Sequence, residues 1–253
     1  MWQGDYAFAL KNLVLKDFRI RYRNMSLGVF WSLLNPLVMM VALTFVFRYI
    51  FRSNNPDFPV FLLCGLVPFS FLQIAWATGT SSLVDNAPII KRVPMPREVV
   101  PIASVLSHCP HLAIQMALLI ALTLIYGKSV HLQWIWLPLV LLLEVVFVCG
   151  LVLAFSAFNV YIRDTRYVVE SVNTVLVWLV PVYYSFGEIP PRFTGLYEIN
   201  PLAALIFSLR AILLEGGAPR TLLLIKLAAV SFVTFGIGLA VFRRLRRGFY
   251  AFL

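Results

Sequence analysis

Acidic side chains are scarce in this chain: 11 aspartates and glutamates stand against 21 lysines and arginines in 253 residues, and charged residues total only 13%. A water-soluble domain of this length needs far more polar surface to cover its core, so that class is excluded. Cysteine is also rare. Cys64, Cys109 and Cys149 each sit inside an apolar run without metal-site spacing, which argues against a disulfide scaffold and leaves them as small buried hydrophobes. No GxxxxGK[ST] phosphate loop is present. Gly127-Lys128-Ser129 has Leu122 where the first glycine belongs, and it follows an apolar run. Any ATP and Mg must therefore be bound by another chain. His108 and His111 stand three apart, but no set of metal ligands forms around them. No Ser/His/Asp or Cys/His pattern stands out, so catalytic residues, a metal and a cofactor are all expected to be absent from this chain. Internal repeats, low-complexity tracts and a cleavable leader pattern are likewise missing.

What the chain has is apolar length. Hydrophobic residues make up 61%, and the mean hydropathy is +0.88. A hydrocarbon core about 30 Å thick takes about 20 helical residues to cross. Six runs of that kind lie at 29–50, 60–83, 99–126, 133–160, 168–186 and 221–242. The third and fourth are long enough to tilt or project beyond the bilayer. Basic residues alternate between the gaps. Fourteen fall in the stretch ending at Gly28, in 84–98, in 161–169 and in the tail from Arg243; the gaps 51–59, 127–133 and 187–221 hold only five. Lys and Arg near span ends are retained on the cytoplasmic side. The pattern predicts an all-α membrane protein of six transmembrane helices with both termini cytoplasmic. The net charge of +10 then reflects attraction to anionic membrane lipids and not nucleic-acid binding, because the positive residues flank apolar runs.

Several segments depart from plain spans. In 5–23, Tyr6, Leu10, Leu13, Val14 and Phe18 recur at helical intervals while Lys11, Lys16, Asp17 and Arg19 take other faces. This predicts an N-terminal amphipathic helix in the cytoplasmic interface (region 1–28), or else an ordinary basic flank. In the 84–98 gap, Asp85-Asn86-Ala87-Pro88 starts a short helix carrying Lys91 and Arg92 before Pro94-Met95-Pro96 turns the chain back. Arg163-Asp164-Thr165-Arg166 makes a second, tighter turn. Each is either a solvated loop or a charged element fitted to a groove on a soluble partner. The 187–220 stretch holds Leu202–Leu214, apolar but too short to cross, among Pro190, Pro191 and Pro201. It is expected to form short re-entrant helices, since irregular backbone at membrane depth must be covered. Glu144 is the one acid deep in an apolar span, either a polar wall or ion-pair partner of a path, or a hydrogen-bonded structural residue. Asn35-Pro36, Pro68 and Pro181 are candidate kinks. Of the many aromatics, interfacial belts account for most, and a minority can stack on sugar faces in a channel.

Taken in order, several stretches carry a family resemblance. They are Asp17-Phe18-Arg19-Ile20-Arg21-Tyr22-Arg23, Leu27-Gly28-Val29-Phe30-Trp31 with Asn35-Pro36, and Gly65-Leu66-Val67-Pro68-Phe69. Pro96-Arg97-Glu98-Val99-Val100-Pro101, Asn159-Val160-Tyr161-Ile162-Arg163-Asp164 and Ile199-Asn200-Pro201 follow. Over essentially its whole length the chain resembles the polysaccharide-export permeases of ABC-2 type (the Wzm, TagG and KpsM group). The resemblance implies a homodimer in the bacterial inner membrane, with two copies of a separate ABC nucleotide-binding subunit that holds ATP and Mg. The substrate implied is a glycan linked to polyprenyl pyrophosphate or another lipid. By the same resemblance, Arg19, Arg21 and Arg23 meet the lipid diphosphate or its leaflet. Asp85, Lys91, Arg92, Arg163, Asp164 and Arg166 couple to the ATPase. From residue type, Trp31, Asn35, Phe69, Trp76, Glu144, Tyr183 and Tyr184 are expected to line the path within a 29–253 transmembrane domain. Pro190, Arg192, Asn200 and Pro201 belong to the extracytoplasmic gate. Two other readings fit the composition: an ABC-2 permease for drugs or small lipids, and an ion-coupled secondary carrier using Glu144.

Overall fold

The computed structural model describes residues 6–22, 31–50, 56–93, 95–190, 192, 193, 195, 197 and 200–252. Among these there is no strand. The helices are α1 (Tyr6–Tyr22), α2 (Trp31–Phe45, continued by a π-helical turn Val46–Ile50), α3 (Phe58–Asp85), α4 (Ala87–Arg92), α5 (Val99–Leu106) and α6 (Cys109–Ile125). Then come α7 (Leu137–Tyr161), α8 (Thr165–Leu179), α9 (Pro201–Leu213), α10 (Thr221–Leu245) and the short α11 (Phe249–Phe252). Proline opens many of them: Pro59, Pro88, Pro110, Pro138 and Pro201 stand at the first or second helical position of α3, α4, α6, α7 and α9. There the missing N–H costs nothing and φ is already helical.

Among the described residues, five segments are long and apolar enough to cross a membrane: Leu33–Ile50, Phe58–Asp85, Val99–Ile125, Leu132–Tyr161 and Thr221–Gly248. Two of the six expected runs differ in detail. The third is broken between α5 and α6 at Ser107–His108, because Pro110 offers no N–H to the Leu106 carbonyl. The fifth is helical only over the 15 residues of α8, which ends at Val180 in extended backbone. Pro181 disfavours the α conformation in the residue before it. Fifteen residues rise only ~22 Å, short of a full crossing by helix alone.

α3 is the central helix. Its buried residues pack with α6, α7, α8 and α9 into one apolar core that includes Phe71, Leu72, Leu119, Val152 and Leu209. α7 and α10 cross at Gly150 and Gly238, where the two backbones touch. Without a hydrophobic drive between helices in lipid, such small-residue contacts supply the packing. A second cluster joins Leu13 of α1 to Leu83, Ile90, Val99, Val100, Ala103, Phe242 and Phe249. The N-terminal helix therefore lays part of its apolar side, Leu10, Leu13 and Val14, on protein, while Tyr6, Phe8 and Ile20 stay exposed. The outward faces of α2 and α8, including Val38, Val41, Phe45, Val172, Val175 and Trp178, are also exposed.

Candidate functional site

The basic stretches, far apart in sequence, converge at one end of the bundle. Lys16 of α1 donates its Nζ to Asn86 Oδ1 just before α4, and pairs with Asp17 at 3.2 Å. α4 is seated by Ile90, which is 3% exposed, so that Lys91 and Arg92 in its last turn project outward. Cations at that end also suit the helix dipole. Asp85 accepts a bond from Ser81 Oγ at 2.6 Å.

The carboxy-terminal segment closes over this end. Arg97 Nη1 donates to the Arg246 carbonyl at 2.5 Å, and Arg246 pairs with Glu98 at 3.6 Å. Tyr161 Oη donates to the Leu245 carbonyl at 2.7 Å, and Arg163 Nη2 to that of Phe252 at 3.1 Å. Phe249 is fully buried, edge-on to Phe242 at 5.5 Å and over Tyr161 at 6.1 Å. Of the expected coupling residues, the loop 84–98 and Arg163 thus share one connected face. Arg166 is paired with Glu170 at 3.0 Å and Asp164 stands exposed beside it. The clasp made by Arg97, Glu98, Tyr161 and Arg246 escaped the sequence reading, where the basic tail served only as a marker of sidedness. Arg19 is exposed on α1; Arg23 and the side chains of Arg21 and Trp31 lie outside the described residues.

The middle of the bundle is polar in places. Gln115 accepts from Ser70 at 2.9 Å, and His108 Nε2 meets Thr78 Oγ1 at 2.8 Å, tying α6 to α3. Glu144 on α7 is 1% exposed, and neither carboxyl oxygen has a hydrogen-bond partner among the described residues. Phe69 and Trp76 are buried as well, Trp76 edge-on to Phe155 at 5.1 Å. These three side chains are enclosed by the chain's own packing, whereas Asn35 is exposed and Tyr183 and Tyr184 are half-buried. The three cysteines are free. No group of three His, Cys, Asp or Glu residues able to hold a metal occurs among the described residues.

At the opposite end Lys128 pairs with Asp57 at 2.6 Å, joining the α6–α7 turn to the start of α3. Tyr184 Oη bonds Tyr197 Oη at 2.8 Å, and Ser185 Oγ donates to Glu188 at 3.0 Å. Pro190 and Arg192 are exposed, with Arg192 against the Phe193 ring. Asn200 caps α9 by accepting from the Leu202 N–H at 3.0 Å, and Pro201 opens that helix. α9 is buried on nearly every face. It carries Arg210, a cation missed among the candidates because it was read as one of the few basic residues of a sparse gap. The guanidinium is 5% exposed and borders a cavity of about 180 Å³ with Phe61, Ser185, Ser208 and Arg220.

A helical bundle with apolar flanks, one basic end and five segments among the described residues able to cross a membrane is a polytopic membrane protein. The chain belongs to the ABC-2 type transporter family, whose model matches residues 9–214. It is 30% identical over 246 residues to the O-antigen export system permease protein RfbA of Klebsiella pneumoniae, covering 96% of this chain and 95% of that one. It is 28% identical to the protein of the same name in Myxococcus xanthus, over 97% of this chain and 95% of the relative. The polysialic acid transport protein KpsM of Escherichia coli is 24% identical over 91% of each chain.

Proposed function

We propose that this chain is the membrane-spanning subunit of an ATP-driven exporter of lipid-linked polysaccharide, of O-antigen, teichoic-acid or capsule type. The observation that carries this reading is the end-to-end match with O-antigen export permeases over 96% of the chain. Its action is vectorial: no bond is made or broken by this polypeptide. Two copies face each other in the bacterial cytoplasmic membrane, their open α2 and α8 faces enclosing a path that one copy is too small to surround. Closed twofold symmetry is the commonest oligomeric solution. α8 and the extended residues after it complete the fifth of six crossings, and the basic end lies in the cytoplasm with both termini, as charge retention requires.

Two ATP-binding subunits dock there on α4, with Arg163, Asp164 and Arg166 alongside. ATP and Mg are theirs, and ATP binding shifts the permease between closed and open forms through differential contacts at these elements. Arg19, Arg21 and Arg23 meet the diphosphate of the lipid carrier. Trp31, Asn35, Tyr183 and Tyr184 supply stacking and hydroxyl contacts along the path, and Pro190, Arg192, Asn200 and Pro201 belong to the outer gate. Deleting the chain is expected to hold glycan on the cytoplasmic side of the membrane; a deletion strain with normal surface glycan rejects the reading.

Glu144 takes no ionic part in this scheme. It has no hydrogen-bond partner to lose among the described residues, so Glu144→Gln keeps size and shape and is expected to cost under ~1 kcal/mol. Export should stay within about threefold of the parent, or ~0.7 kcal/mol. A hundredfold loss in a surface-glycan assay, with normal membrane levels, would restore Glu144 to the transport path.

A further inference from the structure

We infer that Arg210 is the latch that holds α9 shut against the first turn of α3 and the residues that follow α8, an inference resting on the reading of the stretch around α9 as the outer gate. Arg210 is the lone charged residue of α9, whose other positions are apolar apart from Ser208. A cation so enclosed needs its donors met. None of the ion pairs among the described residues includes it. It is held instead by backbone through its two terminal nitrogens: Nη1 donates to the Tyr184 carbonyl at 3.0 Å, and Nη2 to the carbonyls of Val182 at 2.8 Å and Phe61 at 3.4 Å, while Nε has no partner among the described residues. The guanidinium carbon also lies 3.4 Å from the centre of the Phe61 ring, a stacked cation–π contact.

Those acceptors belong to two other elements. The Val182 and Tyr184 carbonyls are free because Pro181 ends the helical ladder of α8, and Phe61 lies in the first turn of α3. One side chain on α9 therefore joins the first turn of α3 and the broken end of the fifth apolar run. Tyr184 extends the junction, since its hydroxyl meets Tyr197 in the segment leading to α9. None of these bonds is part of a helix, so all can break while every helix stays intact. The 180 Å³ cavity lined by Ser185, Ser208, Ala211 and Leu223 leaves room at the junction for α9 to shift. The forked guanidinium is needed, because a lysine ammonium cannot reproduce its planar set of donors.

The test uses the full chain with its ATP-binding partner in proteoliposomes without nucleotide, reading passive potassium efflux. Arg210→Gln is expected to raise efflux at least tenfold with an unchanged melting temperature, and Arg210→Lys to fall between it and the parent. Variants as tight as the parent, with export either kept or lost, overturn the latch. Should Arg210→Gln not fold, Ser185→Cys with Ala211→Cys is joined by a short reducible crosslinker on native Arg210. Export halted by the link and restored by reduction supports the latch, and export continuing while linked overturns it. Potassium efflux needs no glycan, so a deletion strain with normal surface glycan would end the glycan reading and leave the efflux result standing.

Discussion

Replacing Gly238 with valine is expected to remove most folded protein from the membrane, lowering its steady-state level at least tenfold. A Cβ at Gly238 would fall on the carbonyl oxygen of Gly150. A Cβ at Gly150 would in turn lie 2.5 Å from the Phe235 nitrogen and 2.6 Å from the Thr234 carbonyl carbon. Side-chain clashes are relieved by changing rotamer, but backbone has no rotamer to change. α7 and α10 must then separate along their length, pulling Leu224, Leu227 and Phe242 off the core. Overpacking of this kind costs about 3 kcal/mol, and lipid provides no hydrophobic drive to bring the helices back. Gly236, two residues away on the same helix, is the control, because a Cβ there meets nothing within 4 Å. Thermal melts in detergent that are alike for Gly238→Val and Gly236→Val would refute the backbone-contact account.

Reversing both charges on α4, Lys91→Glu with Arg92→Glu, is expected to weaken docking of the ATP-binding subunit at least tenfold, or ~1.4 kcal/mol. Ile90 anchors the helix from beneath while the two cations point away from the bundle. The change replaces two exposed positive charges with two negative ones on the surface proposed to meet the partner, where charge sets the rate of encounter. The new charges also oppose the helix dipole, by about 0.3–1 kcal/mol each. The loss should shrink as salt is raised, since exposed charges are screened over ~8–10 Å at physiological ionic strength. Copurification of the two subunits at low and high salt reads both effects. Undiminished recovery of the ATP-binding subunit with the double variant would reject α4 as the docking element. Lys11→Glu, at an exposed position on α1, serves as the comparison.

Much of the architecture was legible because bilayer crossing is a local property. About 20 apolar residues in a row identify a span whatever surrounds them, and five of the six expected runs meet that length in the structure. The short helix carrying Lys91 and Arg92 was legible from Asn86, Pro88 and the prolines that follow. The fifth run is apolar throughout but helical only in part, a difference hydropathy misses because it counts residues and not hydrogen bonds. Val180-Pro181-Val182 is as apolar as its neighbours, yet the proline ends the helix after Leu179. Phe69, Trp76 and Glu144 were picked by residue type as path-lining, but which side of a span faces inward depends on the helices packed against it. α3 and α7 turn these side chains into the protein.

Residue order alone carried the solvent, the all-helical class, the alternation of basic and sparse gaps, and the motif series by which the family is recognised. Each depends on composition and spacing along a few turns of chain. Tertiary packing decided the rest. It gathered Arg97, Glu98, Tyr161 and Arg246 from distant segments into one clasp, brought Gly150 onto Gly238, and set Arg210 among the Val182, Tyr184 and Phe61 carbonyls. Such contacts join residues up to 149 positions apart. Their energies come from hydrogen bonds and close approach at ångström range, which no pattern of neighbours in sequence encodes.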